Sequence, residues 1–184
     1  KTGTLTEGRL QLAERMAAEG VTVQELQRIA GLASRAESRD PLDRAIQQGA
    51  GATETAGLRL ALFPFTEDRR RETAIWRVAS GDAAARVLAV CKGAPETVLA
   101  RCGFEPAQVR HWLERADELA ATRKVIACAW REPGADESAG GEPDSDYRFA
   151  GLLAFEDPVR QGAADAVRRA QRAGVRLIMV TGDH

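Results

Sequence analysis

Two short segments combine the residue types that a nucleotide site needs. Lys92, Gly93 and Ala94 follow an apolar run and precede a helix-start pattern, so they should lie where a strand leads into a helix. A lysine there can place its ammonium near a nucleotide, and a glycine beside it allows the backbone and a base to approach closely. Phe65 lies in a second segment, residues 63–71, where a ring could stack on a base. Base stacking on an aromatic side chain contributes about 1–3 kcal/mol in single-strand binders.

Each of these residues also has a purely structural interpretation. Lys92 and Gly93 could be a surface lysine and a turn glycine at the end of a strand. Phe65 could be a core aromatic beside a solvated, highly charged turn, and for Arg69 and Arg71 we favour the solvated turn. Considered alone, Lys92 and Gly93 fit the structural interpretation better.

An acidic residue is predicted in the first turn of a helix. Asp40 suits the N-cap and Pro41 the first helical position, which makes Asp43 the third helical residue. An acid in this turn interacts favourably with the helix dipole, so Asp43 has a structural role available to it.

Composition excludes several other classes of protein. The chain has 184 residues, 44% hydrophobic and 29% charged, with a net charge of -1, which argues against a strongly basic nucleic-acid binder. Three cysteines without close spacing argue against a disulfide scaffold and fit a reducing compartment, and two histidines are too few for a zinc site. No apolar run approaches the ~20 residues of a membrane span, and no G-x-x-x-x-G-K-[ST] loop is present.

The hydrophobic pattern predicts an α/β (α+β) domain over residues 9–157, with an antiparallel sheet flanked by helices. Period-two patterns and short apolar runs predict strands at 10–16, 74–79, 86–91, 125–130 and 147–155. Ser80-Gly81-Asp82 fits a turn that joins the second and third of these strands into a hairpin. Helical patterns and caps predict helices at 22–34, from 41 onward, and at 95–101, 106–120 and 160–173. Residues 175–180 form a continuous apolar run, which predicts a buried parallel strand ending in Thr181-Gly182-Asp183.

Three further expectations concern loops and cores. Residues 132–146 are acidic and rich in Gly, Ser and Pro, which predicts a mobile loop. Alternate residues from Tyr147 to Phe155 should share one face of their strand. The side chains of Trp76, Trp112, Trp130 and Tyr147 fit apolar faces, so we assign them to the core.

Taken in order, these motifs resemble the P-type cation-transporting ATPases over essentially the whole chain. Lys1-Thr2-Gly3-Thr4-Leu5-Thr6 resembles the family's phosphorylation motif, and Thr181-Gly182-Asp183-His184 resembles its phosphate-binding strand end. The family's nucleophilic aspartate would directly precede Lys1, so we expect a fragment that is not active alone. The resemblance implies a nucleotide-binding domain at 9–157, flanked at 1–8 and 158–184 by pieces of a Rossmann-like, haloacid-dehalogenase-like phosphorylation domain.

The resemblance also implies an ATP site. The residues that match its positions are Asp43, Phe65, Arg70, Lys92, Gly93, Ala94, Lys124, Asp157 and Arg160. Phe65 matches the aromatic that stacks on adenine, and Asp43 matches a usual glutamate that accepts a hydrogen bond from the adenine amino group. For Asp43 this role and the helix-dipole role stay equally open.

The phosphate and ribose contacts follow from the same resemblance. Arg70 stands where a lysine commonly faces the nucleotide, and Glu67 stands where some relatives have an arginine near the phosphates. Lys124 and Arg160 match phosphate contacts, and Asp157 matches a ribose contact. The Thr2 backbone carbonyl would help hold Mg²⁺, and Thr181 would grip the phosphate.

The implied parent is a cation pump whose cytoplasm-facing domain this is, in a plasma or inner membrane. Its partners would be ATP and the remaining phosphorylation, actuator and transmembrane domains; the fragment would be monomeric and would bind no nucleic acid. The motifs favour the calcium, sodium and magnesium branch, with a proton pump second. A soluble haloacid-dehalogenase-like phosphatase with a large cap, and a nucleotide-binding or docking module without catalysis, remain alternatives. The flanks, 1–8 and 158–184, are expected to be under-supported.

Overall fold

The computed structural model of the chain describes residues 3–35, 37–50, 57–80, 83–132 and 141–179. The strands are β1 (Gln11–Ala17), β2 (Gly57–Phe63), β3 (Arg71–Ser80), β4 (Ala83–Gly93), β5 (Lys124–Arg131) and β6 (Arg148–Glu156). The helices are α1 (Val23–Leu32), α2 (Pro41–Ala50), α3 (Pro95–Leu99), α4 (Pro106–Ala120) and α5 (Ala163–Arg172). In the described ranges no helix is both long and apolar enough to span a membrane.

The six strands form one sheet in the order β1-β6-β5-β4-β3-β2, and every neighbouring pair is antiparallel. This confirms the predicted α+β class with an antiparallel sheet. The edge strand β2 was not predicted, because Gly57 to Phe63 carries an arginine among apolar residues and shows no clean alternation. β1 and β6 are far apart in sequence, so their pairing closes the domain.

Helices cover both faces of the sheet. On one face α1 and α2 pack over a core that includes Leu26, Ile46, Val90 and Phe155. On the other face α3 and α4 pack over a second core. The predicted core placement of the large aromatics is confirmed, since Trp76 and Trp130 pack against the first core, and Tyr147 and Trp112 belong to or pack against the second.

The prediction that alternate residues from Tyr147 to Phe155 share one face of their strand is wrong. Tyr147 and Phe149 pack into the α3–α4 core, whereas Leu153 and Phe155 pack into the α1–α2 core. The strand pairing explains this, because Cys128 pairs with the residue at 151 and the next residue of β5 pairs with Phe149. One residue of β6 is therefore unpaired, and a bulge of this kind exchanges the faces of all residues beyond it.

The helix boundaries follow their predicted caps. Thr22 and Glu25 form a complete capping box at the start of α1, and α4 has the predicted bounds. α5 begins at Ala163 rather than at residue 160, and Gly174 has a φ of 76°, as a glycine after a helix end commonly has.

The buried parallel strand predicted at 175–180 is not found over its described part. Residues 175–179 have no strand assignment, and Ile178 and Met179 are 74% and 62% exposed. A buried strand needs neighbours on both sides to satisfy its backbone, and no described strand lies beside this segment. Residue 180 lies outside the described part of the chain.

Candidate functional site

The hairpin formed by β3 and β4 places a glutamate directly opposite the lysine of the first motif. Glu72 and Lys92 are cross-strand partners, and the Lys92 Nζ donates a hydrogen bond to Glu72 Oε2 at 2.8 Å. The same Nζ donates to Asp43 Oδ1, which α2 brings onto this face of the sheet. Lys92 is 4% exposed and Asp43 is 2% exposed, so the structure brings two of the predicted site residues together in a buried ion pair.

A second cation completes this buried cluster. Arg35 lies just after α1, and its Nε is 3.1 Å from Glu72 Oε1 and 3.6 Å from Asp43 Oδ2. Two cations and two carboxylates balance in charge, which a buried cluster requires because an unpaired ion is costly to desolvate. Asp43 Oδ2 and Glu72 Oε1 are themselves buried, and the Arg35 guanidinium lies beside both of them.

The surroundings of Asp43 lower the pKa of its carboxyl group. Burial alone raises that pKa, since it disfavours the charged form. The Lys92 ammonium, the hydrogen bond from Lys92, a hydrogen bond from Ser38 and the charge of Arg35 together outweigh the burial. Asp43 is therefore ionised and acts only as a hydrogen-bond acceptor at neutral pH.

Phe65 lies at the end of β2 on a turn that leads into β3. The ring is 55% exposed, so the structure does not place it in the core. The Arg70 amide donates to the Thr66 carbonyl at 2.8 Å, which closes the turn, and the Ala94 amide donates to the Arg70 carbonyl at 2.9 Å. The turn that carries Phe65 is thus bonded to the segment that follows Lys92.

Gly93 fits this junction for a backbone reason. A Cβ at residue 93 would lie 2.4 Å from the Arg70 carbonyl oxygen and 2.8 Å from the Arg71 Cα. From the sequence, we expected the absence of a side chain at residue 93 to let a base approach. In the structure, the backbone of residues 70 and 71 occupies that space. Arg70, which begins this contact, adopts a φ of 51°, a conformation that is uncommon for a residue with a side chain.

Two candidate phosphate contacts are exposed cations near this edge of the sheet. The Arg70 Nη1 is 2.6 Å from Glu96 Oε1, and both side chains are about half exposed. Lys124 begins β5 and is exposed. Because Lys92 pairs with Cys128, the alternation of β5 places Lys124 on the same face of the sheet as Lys92.

Asp157 and Arg160 are engaged with the start of the chain. Asp157 accepts hydrogen bonds from Thr6 Oγ1 at 2.5 Å and from the Gly8 and Arg9 amides at 2.8 and 3.1 Å. The Arg160 Nη2 donates to the Gly3 carbonyl at 3.0 Å. These two residues therefore join the segments 3–9 and 157–160, and they do not contact the Lys92 cluster through any described bond.

The predicted solvated turn is wrong for Arg71. That residue is 5% exposed, and its guanidinium pairs with Glu142 and Asp144, both at 2.8–2.9 Å. Arg69 also pairs with Glu142 at 2.9 Å. Tertiary contacts with residues 141–144, about 70 positions away, bury charges that local sequence assigns to the surface.

Sequence reasoning missed Glu72 and Arg35. For Glu72 the local signal was misleading, because counting outward from the predicted turn at residues 80–82 brings residue 70 beside Lys92. The observed register, which shifts between Val78 and Ser80, places Glu72 there instead. For Arg35 no local pattern was available, since only the packing of α1 on the sheet places the residue there.

Several predicted residues lie outside the described part of the chain: Lys1, Thr2, Thr181, Gly182 and Asp183. The described part contains no group of three or more His, Cys, Asp or Glu side chains that could hold a metal ion. A cavity of about 530 Å³ is lined by flank residues that include Leu5, Ala166 and Leu177, and neither Phe65 nor Lys92 contributes to it.

Comparison with known proteins gives two findings. Residues 42–162 match a family model described as P-type ATPase, cytoplasmic domain N. The chain is also 31% identical over 186 residues to "Putative cation-transporting ATPase MJ1226" of Methanocaldococcus jannaschii, in an alignment that covers all of this chain and 22% of that protein. The chain therefore spans about a fifth of the length of this relative.

Proposed function

The chain belongs to the P-type cation-transporting ATPases and contains their cytoplasmic domain N, and from this premise we propose that it binds ATP where the Phe65 turn meets the Lys92 cluster. One observation carries the proposal. An exposed aromatic ring lies on a turn bonded to the residues after Lys92, next to a buried cluster that contains two carboxylates. A flat apolar ring and a nearby carboxylate fit a heteroaromatic base with an amino group.

The adenine contacts are assigned from this geometry. Phe65 offers an exposed face for stacking. The Asp43 carboxylate is buried in the structure, so it would accept from the adenine amino group only after a local rearrangement exposes it. Lys92 keeps Asp43 ionised and oriented, while Gly93 and Ala94 hold the turn against the strand end. The shorter side chain of aspartate is compensated by its position on α2, since the carboxylate already reaches the face that carries Lys92.

The phosphate contacts are assigned to cations on the exposed rim. Arg70 can exchange its half-exposed partner Glu96 for a phosphate, because a surface ion pair of this kind contributes little stability. Lys124 offers an ammonium on the same face of the sheet as Lys92. We propose a second role for Arg160 at the phosphates and for Asp157 at the ribose, in addition to the bonds that these residues make with segment 3–9.

The function of the whole pump is a further proposal, because the chain spans about a fifth of the relative's length. Domain N would present the γ-phosphate of ATP to an aspartate directly before Lys1, and the aspartyl-phosphate would drive cation transport across a membrane. Mg²⁺ would offset the phosphate charge. We propose the backbone carbonyl of Thr2 as one of its ligands, and we propose no ligand among the described side chains. Actuator, phosphorylation and transmembrane domains of the same pump would be the partners, with the calcium, sodium or magnesium branch ahead of the proton branch.

An ATP titration followed by amide chemical shifts tests the binding site. Phe65→Ala should weaken binding by about 1–3 kcal/mol, the value of a stacked base, which is roughly a 5- to 150-fold rise in Kd. Leu58→Ala is the matched control, because Leu58 is 61% exposed and lies at the other end of β2. Lys124→Ala should weaken ATP more than it weakens adenosine.

Two results would count against the proposal. If the chain is folded and no shift saturates with ATP, domain N here has the fold without the function, as a docking module would. If ATP binds but Phe65→Ala and Leu58→Ala bind equally well, the base lies elsewhere on the molecule.

A further inference from the structure

A second polar cluster lies on the opposite face of the sheet, around Glu142. This carboxylate accepts hydrogen bonds from Arg71 Nε at 2.9 Å, from Thr73 Oγ1 at 2.7 Å and from Arg69 Nη1 at 2.9 Å. Its side chain is only 12% exposed. A carboxylate with three donors in a largely buried site is held in one place, and it holds its donors in turn.

The segment around Glu142 is anchored at several other points. We call residues 141–147 the acidic brace. Asp144 accepts hydrogen bonds at 2.8 Å from both Arg71 and Arg101, and the Tyr147 hydroxyl donates to the Pro143 carbonyl at 3.2 Å. Tyr147 is buried in the α3–α4 core, and its amide bonds the Arg101 carbonyl. The brace is therefore fixed to the body of the domain.

From the brace, Arg69 connects to both sides of Phe65. The Arg69 amide and Nε donate to Thr66 Oγ1 at 3.2 and 3.3 Å, and its Nη2 donates to the Pro64 carbonyl. One guanidinium thus contacts the residue before Phe65, the residue after it, and Glu142. The ring itself makes none of these bonds and stays exposed.

The brace also pairs with two of three consecutive arginines. Arg69 and Arg71 share Glu142, and Arg70 between them pairs with Glu96. Without Glu142, Arg69 would lose its carboxylate, and the buried Arg71 would keep only Asp144. Repulsion among the three cations would then favour other conformations of the turn.

We propose that Glu142 is a positioning residue for the nucleotide site: acting through Arg69, it holds the turn at residues 64–70 so that the Phe65 ring is presented beside the end of β4. The nucleotide part rests on the proposed function. The positioning part concerns the chain without ligand and can be tested separately.

The experiment compares Glu142→Gln with Glu132→Gln by amide hydrogen exchange and ATP titration. Glu132 forms a half-exposed ion pair with Arg86, at the other end of β4, and serves as the matched control. Glu142→Gln should raise the exchange rate of the Arg70 amide, which bonds the Thr66 carbonyl, at least tenfold relative to the core amide of Val90. Glu132→Gln should leave that ratio unchanged.

Arg69→Met provides a second variant in which the Glu142–Arg71 pair remains. It should raise the exchange rate of the Arg70 amide, relative to that of Val90, by the same factor. The test therefore stays decisive if Glu142→Gln fails to fold. In ATP titrations both variants should raise Kd about threefold or more, and neither should raise it further when Phe65 is already alanine. That lack of additivity separates positioning of the ring from a general loss of stability.

The outcomes for the two proposals are distinguishable. Arg70 exchange that stays at the wild-type ratio in Arg69→Met overturns the positioning role, whether or not ATP binds. Equal acceleration at Arg70 and Val90 in both variants also overturns it, since the brace would then act on the whole fold. Local acceleration without any ATP binding in the wild type supports positioning and refutes the proposed function.

Discussion

At the scale of single residues, the buried cluster of Arg35, Asp43, Glu72 and Lys92 dominates the site. Its charges balance, and its members come from the end of α1, from α2 and from the β3–β4 hairpin. Such a cluster adds little stability compared with an apolar core of the same shape, but it is costly to break, because removal of one partner leaves a buried charge. The cluster therefore fixes where the carboxylates lie.

Lys92→Met should destabilise the chain by about 3–5 kcal/mol, because Asp43 and Glu72 would share one half-buried arginine. Urea unfolding measures this, with Lys124→Met, an exposed lysine, expected within about 0.5 kcal/mol of the wild type. Adding Asp43→Asn and Glu72→Gln to Lys92→Met should recover most of the loss. A loss below about 1 kcal/mol for Lys92→Met would show that the cluster is not buried in solution.

Asp43 should contribute to stability in a defined pH window. Its folded-state pKa is lowered, chiefly because the charge and the hydrogen bond of Lys92 outweigh the effect of burial. Between that pKa and the ordinary value of about 3.9, the unfolded state therefore binds more protons than the folded state. The contribution is complete above about pH 5 and is lost as pH falls below the ordinary value toward the folded-state pKa. A carbon-detected titration of the Asp43 carboxyl should have its midpoint below the ordinary one, and Lys92→Met should move it upward. If the midpoint is the same in Lys92→Met as in the wild type, Lys92 is not the cause of the lowered pKa.

At the scale of elements, the bulge in β6 lets one strand serve both cores. The strand supplies Tyr147 and Phe149 to the α3–α4 face and Leu153 and Phe155 to the α1–α2 face. Gly151 lies just after the unpaired residue, with a φ of 142°, where the β1 backbone approaches closely. The bulge thus depends on a glycine at this one position.

Gly151→Ala should be strongly destabilising. A Cβ there would lie 2.2 Å from the Met16 carbonyl oxygen and 2.9 Å from the Ala17 Cα, and the backbone conformation is unfavourable for alanine. We expect a loss of roughly 2 kcal/mol or more in thermal or urea unfolding. Gly103→Ala is the control, because no atom lies within 4 Å of its added Cβ, and it should change stability by less than about 0.5 kcal/mol. Equal effects at the two glycines would refute the close approach of β1.

At the scale of the whole molecule, the first and last described segments meet beside the domain. Thr6 and Val159 form an antiparallel bridge, the Glu7 amide bonds the Pro158 carbonyl, and Asp157 accepts three hydrogen bonds from residues 6–9. Beyond this junction, α5 has no buried residue, and residues 175–179 are exposed. The contacts that hold the flanks are thus concentrated where residues 6–9 meet residues 157–159.

Asp157→Asn should loosen this junction without affecting the sheet. Its Oδ1 accepts from the Gly8 and Arg9 amides, so both amides should exchange several-fold faster once the charge is removed. Asp165→Asn, which removes an exposed ion pair with Arg168 in α5, is the matched control. In the wild type, amides of 175–179 should exchange far faster than those of β3, β4 and β5. Protection of 175–179 equal to that of the sheet would contradict our expectation that the flank is under-supported.

Local patterns in the sequence determined the elements that have their own signals. The capping box at Thr22, the α4 periodicity and the hairpin formed by β3 and β4 were all predicted, because caps, turns and periodicities are properties of neighbouring residues. The order of the motifs was enough to indicate the family. Asp43, Phe65 and Lys92 were named as candidates from the same motifs, and two of the three lie in one buried cluster.

Only the tertiary structure decided which charges are buried and which strand faces are apolar. Glu72 and Arg35 join the candidate site, and Glu142 pairs with Arg71 on the opposite face, because distant segments meet. The faces of β6 change because one residue is left unpaired against β5. The burial of a charge depends on what packs over it, and strand faces depend on the register with a partner. Both are set by long-range contacts, which a local pattern of residue types does not contain.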